Sequence, residues 1–160
     1  MPRIATIITP DVPDVTLILG VAMARLEHAT IRREKDGSAV MLFDDADALT
    51  PALHVPHPFI VFDPREVLRL HDVDLPPEWR PVILTVCTVG TGELFDPYLA
   101  VVQDAAIMSG GIVSLNGRQM PPPKDWPWHR GADGRWEPDP GLPRARRWDG
   151  RSARGRGRWS

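Results

Sequence analysis

The 160-residue sequence contains one cysteine and one tyrosine, and it has no long apolar run. With Cys87 alone, no internal disulfide can form and a cysteine-based zinc site is excluded. A reducing cytoplasm is the simplest home for such a chain. Spanning a bilayer takes about 20 consecutive apolar residues. No stretch approaches that length, so membrane insertion is not expected. The opening MPRIATIITPDVPDV turns to proline and aspartate after one early arginine, which argues against a signal peptide.

What is abundant is unevenly placed. Residues 1 to 118 carry nine basic and sixteen acidic groups, whereas residues 119 to 160 carry ten and five. Five of the six tryptophans also lie after Gln119, among prolines and glycines. The chain therefore divides into an acidic domain, 1–118, and a Pro/Gly/Trp/Arg-rich extension, 119–160. A domain of about 100 to 150 residues is long enough to bury a core.

Within the domain, Arg3 to Thr9 is short and β-branched, which favours a strand. Asp11 is placed to cap a helix, with Pro13 in its first turn and Asp14 as the acid three residues after the cap, and Val15, Ile18, Leu19, Ala22 and Leu26 recur at helical spacing. Thr30 to Lys35 and Ser38 to Phe43 flank Asp36-Gly37, the signature of a two-residue hairpin turn. The stretch from Asp44 to Pro58 reads as a surface connection with one helical turn, and Pro58 to Phe62 (PFIVF) as a short buried strand. Asp63-Pro64-Arg65-Glu66 supplies a cap, a first-position proline and a capping-box acid for a helix ending near His71. Val82 to Val89 reads as a central strand, Asp96-Pro97 opens a helix that stops at Gly110-Gly111, and Ile112 to Leu115 closes the domain. This β-α-β-β-β-α-β-α-β order suggests an α+β two-layer sandwich, a ferredoxin-like variant with helices on one sheet face.

Few residues carry recognisable chemistry. The turn Gly90 to Glu93 lies between a strand and a helix, where phosphate loops sit, but it lacks the lysine of a P-loop and Glu93 would repel a phosphate. His54, His57 and His71 with Asp63 or Asp72 have donor types suited to zinc or iron. Their spacing is that of surface histidines, and no metal or cofactor is expected. Cys87 sits mid-strand, the place of a small buried hydrophobe rather than a nucleophile. Asp44, Asp45 and Asp47 form the densest acidic cluster, a solvated face that suits a basic partner.

In the extension, Pro121-Pro122-Pro123 should be stiff, and beyond it no periodicity remains. Trp126, Trp128 and Trp136 read as anchors onto the domain, which leaves Arg144, Arg146, Arg147, Trp148, Arg151, Arg154, Arg156, Arg158 and Trp159 available to a partner. Trp136-Glu137-Pro138-Asp139-Pro140-Gly141, followed by Arg147-Trp148-Asp149-Gly150, resembles the W-x-P-D-P-G...R-W-D-G pattern of a small actinobacterial module of unknown function that often accompanies membrane proteins. The resemblance covers residues 136–150 and implies a bacterial source, but no activity.

The function expected from these residues is a non-enzymatic macromolecular interaction protein, of immunity or adaptor type. Its contacts would be Asp44, Asp45 and Asp47 in the domain, and Trp148, Arg151, Arg154, Arg156, Arg158 and Trp159 in the extension. The second expectation is a nucleic-acid-binding accessory protein, with Arg144, Arg146, Arg147, Arg151, Arg154, Arg156 and Arg158 on phosphates and Trp148 and Trp159 stacked on bases. A small enzyme with a His/Asp site comes third.

Overall fold

The computed structural model describes residues 3–121, 126 and 128–139. Its elements are β1 (Arg3–Thr9), α1 (Val15–Arg25), β2 (Thr30–Arg33), β3 (Ala39–Phe43), β4 (Leu53–Pro56), β5 (Phe59–Val61), α2 (Pro64–His71), β6 (Val82–Val89), α3 (Phe95–Met108), β7 (Ile112–Leu115), β8 (Arg118–Gln119), β9 (Trp128–Arg130) and β10 (Trp136–Pro138). Eight strands make one sheet in the order β2-β3-β4-β6-β1-β7-β8, with β5 also paired to β6. Every pairing in it is antiparallel. The protein is thus α+β, but the expected ferredoxin-like order is not the one observed.

Two strands that the sequence reading left out account for the difference. The segment taken as a surface connection contains β4, whose Pro56 closes the strand where no ladder N–H is required. Asn116-Gly117, taken as an end point, is a tight turn with φ of 50° and 81° that folds β8 back on β7. The Asp36-Gly37 hairpin forms as expected, though with a wider loop. Glu34 N–H donates to the Ala39 carbonyl, and Gly37 takes the positive φ of 73°.

β4 and β5 are one strand interrupted by a bulge. The six residues from His54 to Phe59 lie opposite the five from Thr88 to Leu84 on β6. β3 ends at Ala39 opposite Pro56, so it flanks β4 only. The outer edge of β5 carries no strand among the described residues.

Helix starts follow local chemistry. Asp63 caps α2 by accepting from the Arg65 N–H, with Pro64 in the first turn, as the sequence indicates. For α1 the cap is Asp14 rather than Asp11, accepting from the Thr16 N–H at 2.8 Å. α3 begins one residue before Asp96, after a tight turn at Gly92–Leu94.

The core lies on one face of the sheet. Ile18, Val21 and Ala22 of α1 and Leu99, Val102 and Ala106 of α3 pack on Ala5, Ile7, Leu53, Cys87 and Val113. Side chains alternate along each strand, so the neighbouring residues Ile8, Val82 and Leu84 point to the other face, where Val67 of α2 and Val73 meet them. The helices are therefore not all on one side: α2 covers one end of the opposite face. The small β9–β10 sheet is a hairpin from the extension, and Trp128 belongs to the main core. The boundary expected after residue 118 falls inside β8.

Candidate functional site

Because α2 has eight residues and covers only one end of its face, the rest of that face stays open. Between the helix and strands β1, β5 and β6 lies a cavity of about 420 Å³. Its walls are apolar, formed by Ile4, Phe59, Val61, Val67, Leu70 and Val86. Thr6, Glu66, His71 and Asn116 are the polar groups on its lining. A cavity in this size range, apolar with a few polar groups, accepts one or two side chains or a small ligand.

The surface around it is apolar as well. Phe59, Ile60 and Phe62 are 50%, 52% and 79% exposed, and Ile4 and Leu70 are 50% and 54% exposed. PFIVF is thus not the buried strand its composition indicates. The register places Phe59 and Val61 over the cavity face and Ile60 on the other, yet with no strand outside β5 among the described residues both are left exposed or half-exposed. Charges beside this surface are satisfied in pairs. Arg65 binds the Asp63 carboxylate at 2.8 Å, and Arg69 binds Glu66 at 2.9 Å. The hydrogen bond from Arg65 holds the Asp63 carboxyl below its ordinary range.

At the end of α2, His71 Nδ1 lies 3.0 Å from the Ser114 hydroxyl on β7, which fixes the ring over the sheet. Partial burial lowers its pKa from the usual value, because the charged form loses water. Asn116, at the adjacent turn, takes a positive φ, and its backbone N–H donates to the Ile4 carbonyl at 3.0 Å.

The residues singled out from sequence are dispersed. His54 is on β4, paired with Thr88 and Met41, and His57 is exposed between β4 and β5. His71 stands apart from both on α2. Among the described residues no three His, Cys, Asp or Glu side chains are grouped to hold a metal ion. The Gly90 N–H is spent on the Ala52 carbonyl at 2.8 Å, so the Gly90 to Glu93 turn offers a phosphate one donor fewer. Cys87 is fully buried, and burial pushes its thiol up to about 12.

Asp44, Asp45 and Asp47 are all exposed at the far end of β3 from β5. Asp44 accepts the Tyr98 hydroxyl at 3.2 Å, and Asp45 accepts the Asp47 N–H. Burial of Tyr98, with Asp44 beside it, raises the phenol's pKa. Arg32 donates to the Ala46 carbonyl and so pins the loop. Trp148, Arg151, Arg154, Arg156, Arg158 and Trp159 lie outside the described residues.

One constellation escaped the sequence reading. Asp104 of α3 is 2% exposed, and its carboxylate takes Arg25 Nε at 2.6 Å, Arg25 Nη2 at 3.1 Å and Trp128 Nε1 at 2.7 Å. This clamp ties α1, α3 and the β9–β10 hairpin together. The hairpin continues it with an edge-to-face pair, Trp126 on Trp136 at 6.0 Å, and with Arg130 over the Trp136 ring. Of the three expected anchors, Trp128 is the one that enters the core, and the other two pack against it.

No helix among the described residues is long and apolar enough to cross a membrane. No protein-family model, no curated protein and no solved structure matches the chain.

Proposed function

We propose that the protein is a non-enzymatic interaction protein, of adaptor or immunity type, whose principal contact surface is β5 with the adjoining face of α2. The observation that carries this reading is the exposed apolar side chains Phe59, Phe62 and Leu70 beside an apolar cavity of about 420 Å³, with Ile60 exposed on the other face of the same edge strand. Contiguous apolar surface on a water-exposed face is unfavourable unless a partner covers it, and aromatic residues in such a patch are typical binding anchors. The partner is a protein that places apolar side chains against Phe59 and into the cavity. The exposed loop at Asp44, Asp45 and Asp47, at the far end of β3 from β5, offers a separate acidic contact suited to basic groups, which would act mainly on the association rate.

The test is site-specific photocrosslinking. A photoreactive side chain at Phe59 is compared with one at Leu49, which is 99% exposed and outside this surface. Both are irradiated in extract of cells that express the protein natively. Protein adducts should form from position 59 and not from position 49. Equal labelling at the two positions, or none at either, would sink the proposal.

A further inference from the structure

We infer that the protein engaged by this surface is a second copy of the chain, with β5 pairing antiparallel to β5 of its twin about a two-fold axis at Ile60. The inference rests on the interaction reading above and names its partner.

Three edge segments end the main sheet, and they differ in kind. β2 carries Arg32 and Arg33, and β8 carries Arg118. Charged edges resist pairing with another chain. β5 carries Phe59, Ile60 and Val61 and no charge. It is also the segment whose outer side β3 stops short of covering. Self-pairing there opposes no like charges within the strand, and the flanking charges are already neutralised within each copy by the Asp63–Arg65 and Glu66–Arg69 pairs.

The two-fold axis is set by strand length. In a three-residue strand, centring on Ile60 is the register that pairs all three residues, Phe59 with Val61 of the twin and Ile60 with itself. Phe59 of one copy then covers the open end of the other's apolar surface. The exposed parts of Phe59, Ile60, Phe62, Leu70 and Ile4 amount to roughly 500 Å² per copy, taking roughly 150–200 Å² for a whole large side chain. The pair would bury at most roughly 1,000 Å² of apolar surface, the lower bound for a specific interface.

The experiment uses the full chain and reads mass by sedimentation equilibrium. The wild type should move from 17.8 kDa toward twice that value as concentration rises. Ile60→Lys should weaken self-association by about tenfold or more, and Leu49→Lys should leave it unchanged. An independent measurement is Ile60→Cys. Residues facing across an antiparallel pair have Cα atoms about 4.5–5.5 Å apart, within the roughly 4.4–6.8 Å that a disulfide spans. Cys87 is buried, so the introduced thiol is the reactive one. Ile60→Cys should crosslink into covalent dimers under mild oxidation, and Leu49→Cys should not. A monomer at all concentrations, a dimer indifferent to Ile60→Lys, or an Ile60→Cys chain that fails to crosslink would each overturn the inference. A monomer whose position 59 still captures another protein in extract removes only the second copy and leaves the interaction reading in place.

Discussion

Replacing Trp128 by phenylalanine isolates one bond of the Asp104 clamp. The substitution keeps an aromatic ring in the core but deletes the Nε1–H that reaches Asp104 Oδ2 at 2.7 Å. A hydrogen bond to a charged group contributes about 1.5–3 kcal/mol. The smaller ring adds up to about 1 kcal/mol of lost packing. Asp104 does not become an orphan, because Arg25 still holds both its oxygens, and this keeps the total near 2–3 kcal/mol. At about 2–4 °C per kcal/mol for a chain of this size, Tm should fall by about 5–10 °C. Urea unfolding followed by far-ultraviolet circular dichroism gives the free energy without relying on tryptophan emission. The decisive step is the cycle with Asp104→Ala. If the clamp is the means by which the hairpin is held, Trp128→Phe in that background should cost at least about 1 kcal/mol less than in the wild type. Costs that add to within about 0.5 kcal/mol would show that Trp128 holds the hairpin by packing alone, and the reasoning would be wrong.

Two further outcomes follow from buried titrating groups. For His71 the folded pKa lies below the unfolded value near 6.5, so the unfolded chain takes the proton first as pH drops. The stability tied to neutral His71 is therefore full above pH 6.5 and is lost as pH falls below it. Urea midpoints at pH 7.5 and 5.5 should drop more in the wild type than in His71→Gln, and equal drops would refute the burial effect. For Cys87, whose thiol is pushed up to about 12, a disulfide reagent at pH 8 should label the native chain at least about a thousandfold more slowly than the urea-unfolded chain. Labelling at a rate near the unfolded one would mean that β6 opens freely.

Signals confined to neighbouring residues were legible in the sequence. Asp63-Pro64 announces α2 because cap and proline act within one turn, and Asp36-Gly37 announces its hairpin for the same reason. β4 was not legible. Pro51, Pro56 and Pro58 read as strand breakers, yet pairing with β3 and β6 needs only Leu53 to Pro56, with Pro56 at the strand's end. Without β4 the count of strands is wrong, and the ferredoxin-like order followed from the wrong count. The side taken by α2 was equally hidden, since the apolar spacing of a helix gives its buried stripe but not the sheet face that receives it.

The site was hidden for a different reason. PFIVF is apolar, and apolar composition alone indicates burial; what exposes it is the length of its neighbour, β3, which stops at Ala39. Exposure of a strand is a property of the strand beside it, and no periodicity within residues 58–62 encodes that. Asp104 was invisible for a related cause. It is one acid in a helix, and its partners Arg25 and Trp128 lie 79 and 24 positions away. Trp128, which the sequence presents as an anchor onto the domain, finds an internal acceptor in Asp104. An indole N–H already bonded at 2.7 Å to a buried carboxylate has nothing left to offer a partner. The recognition surface proposed above rests instead on apolar groups that stay exposed, and among the described residues β5 and the adjoining face of α2 supply Phe59, Phe62 and Leu70 beside the cavity.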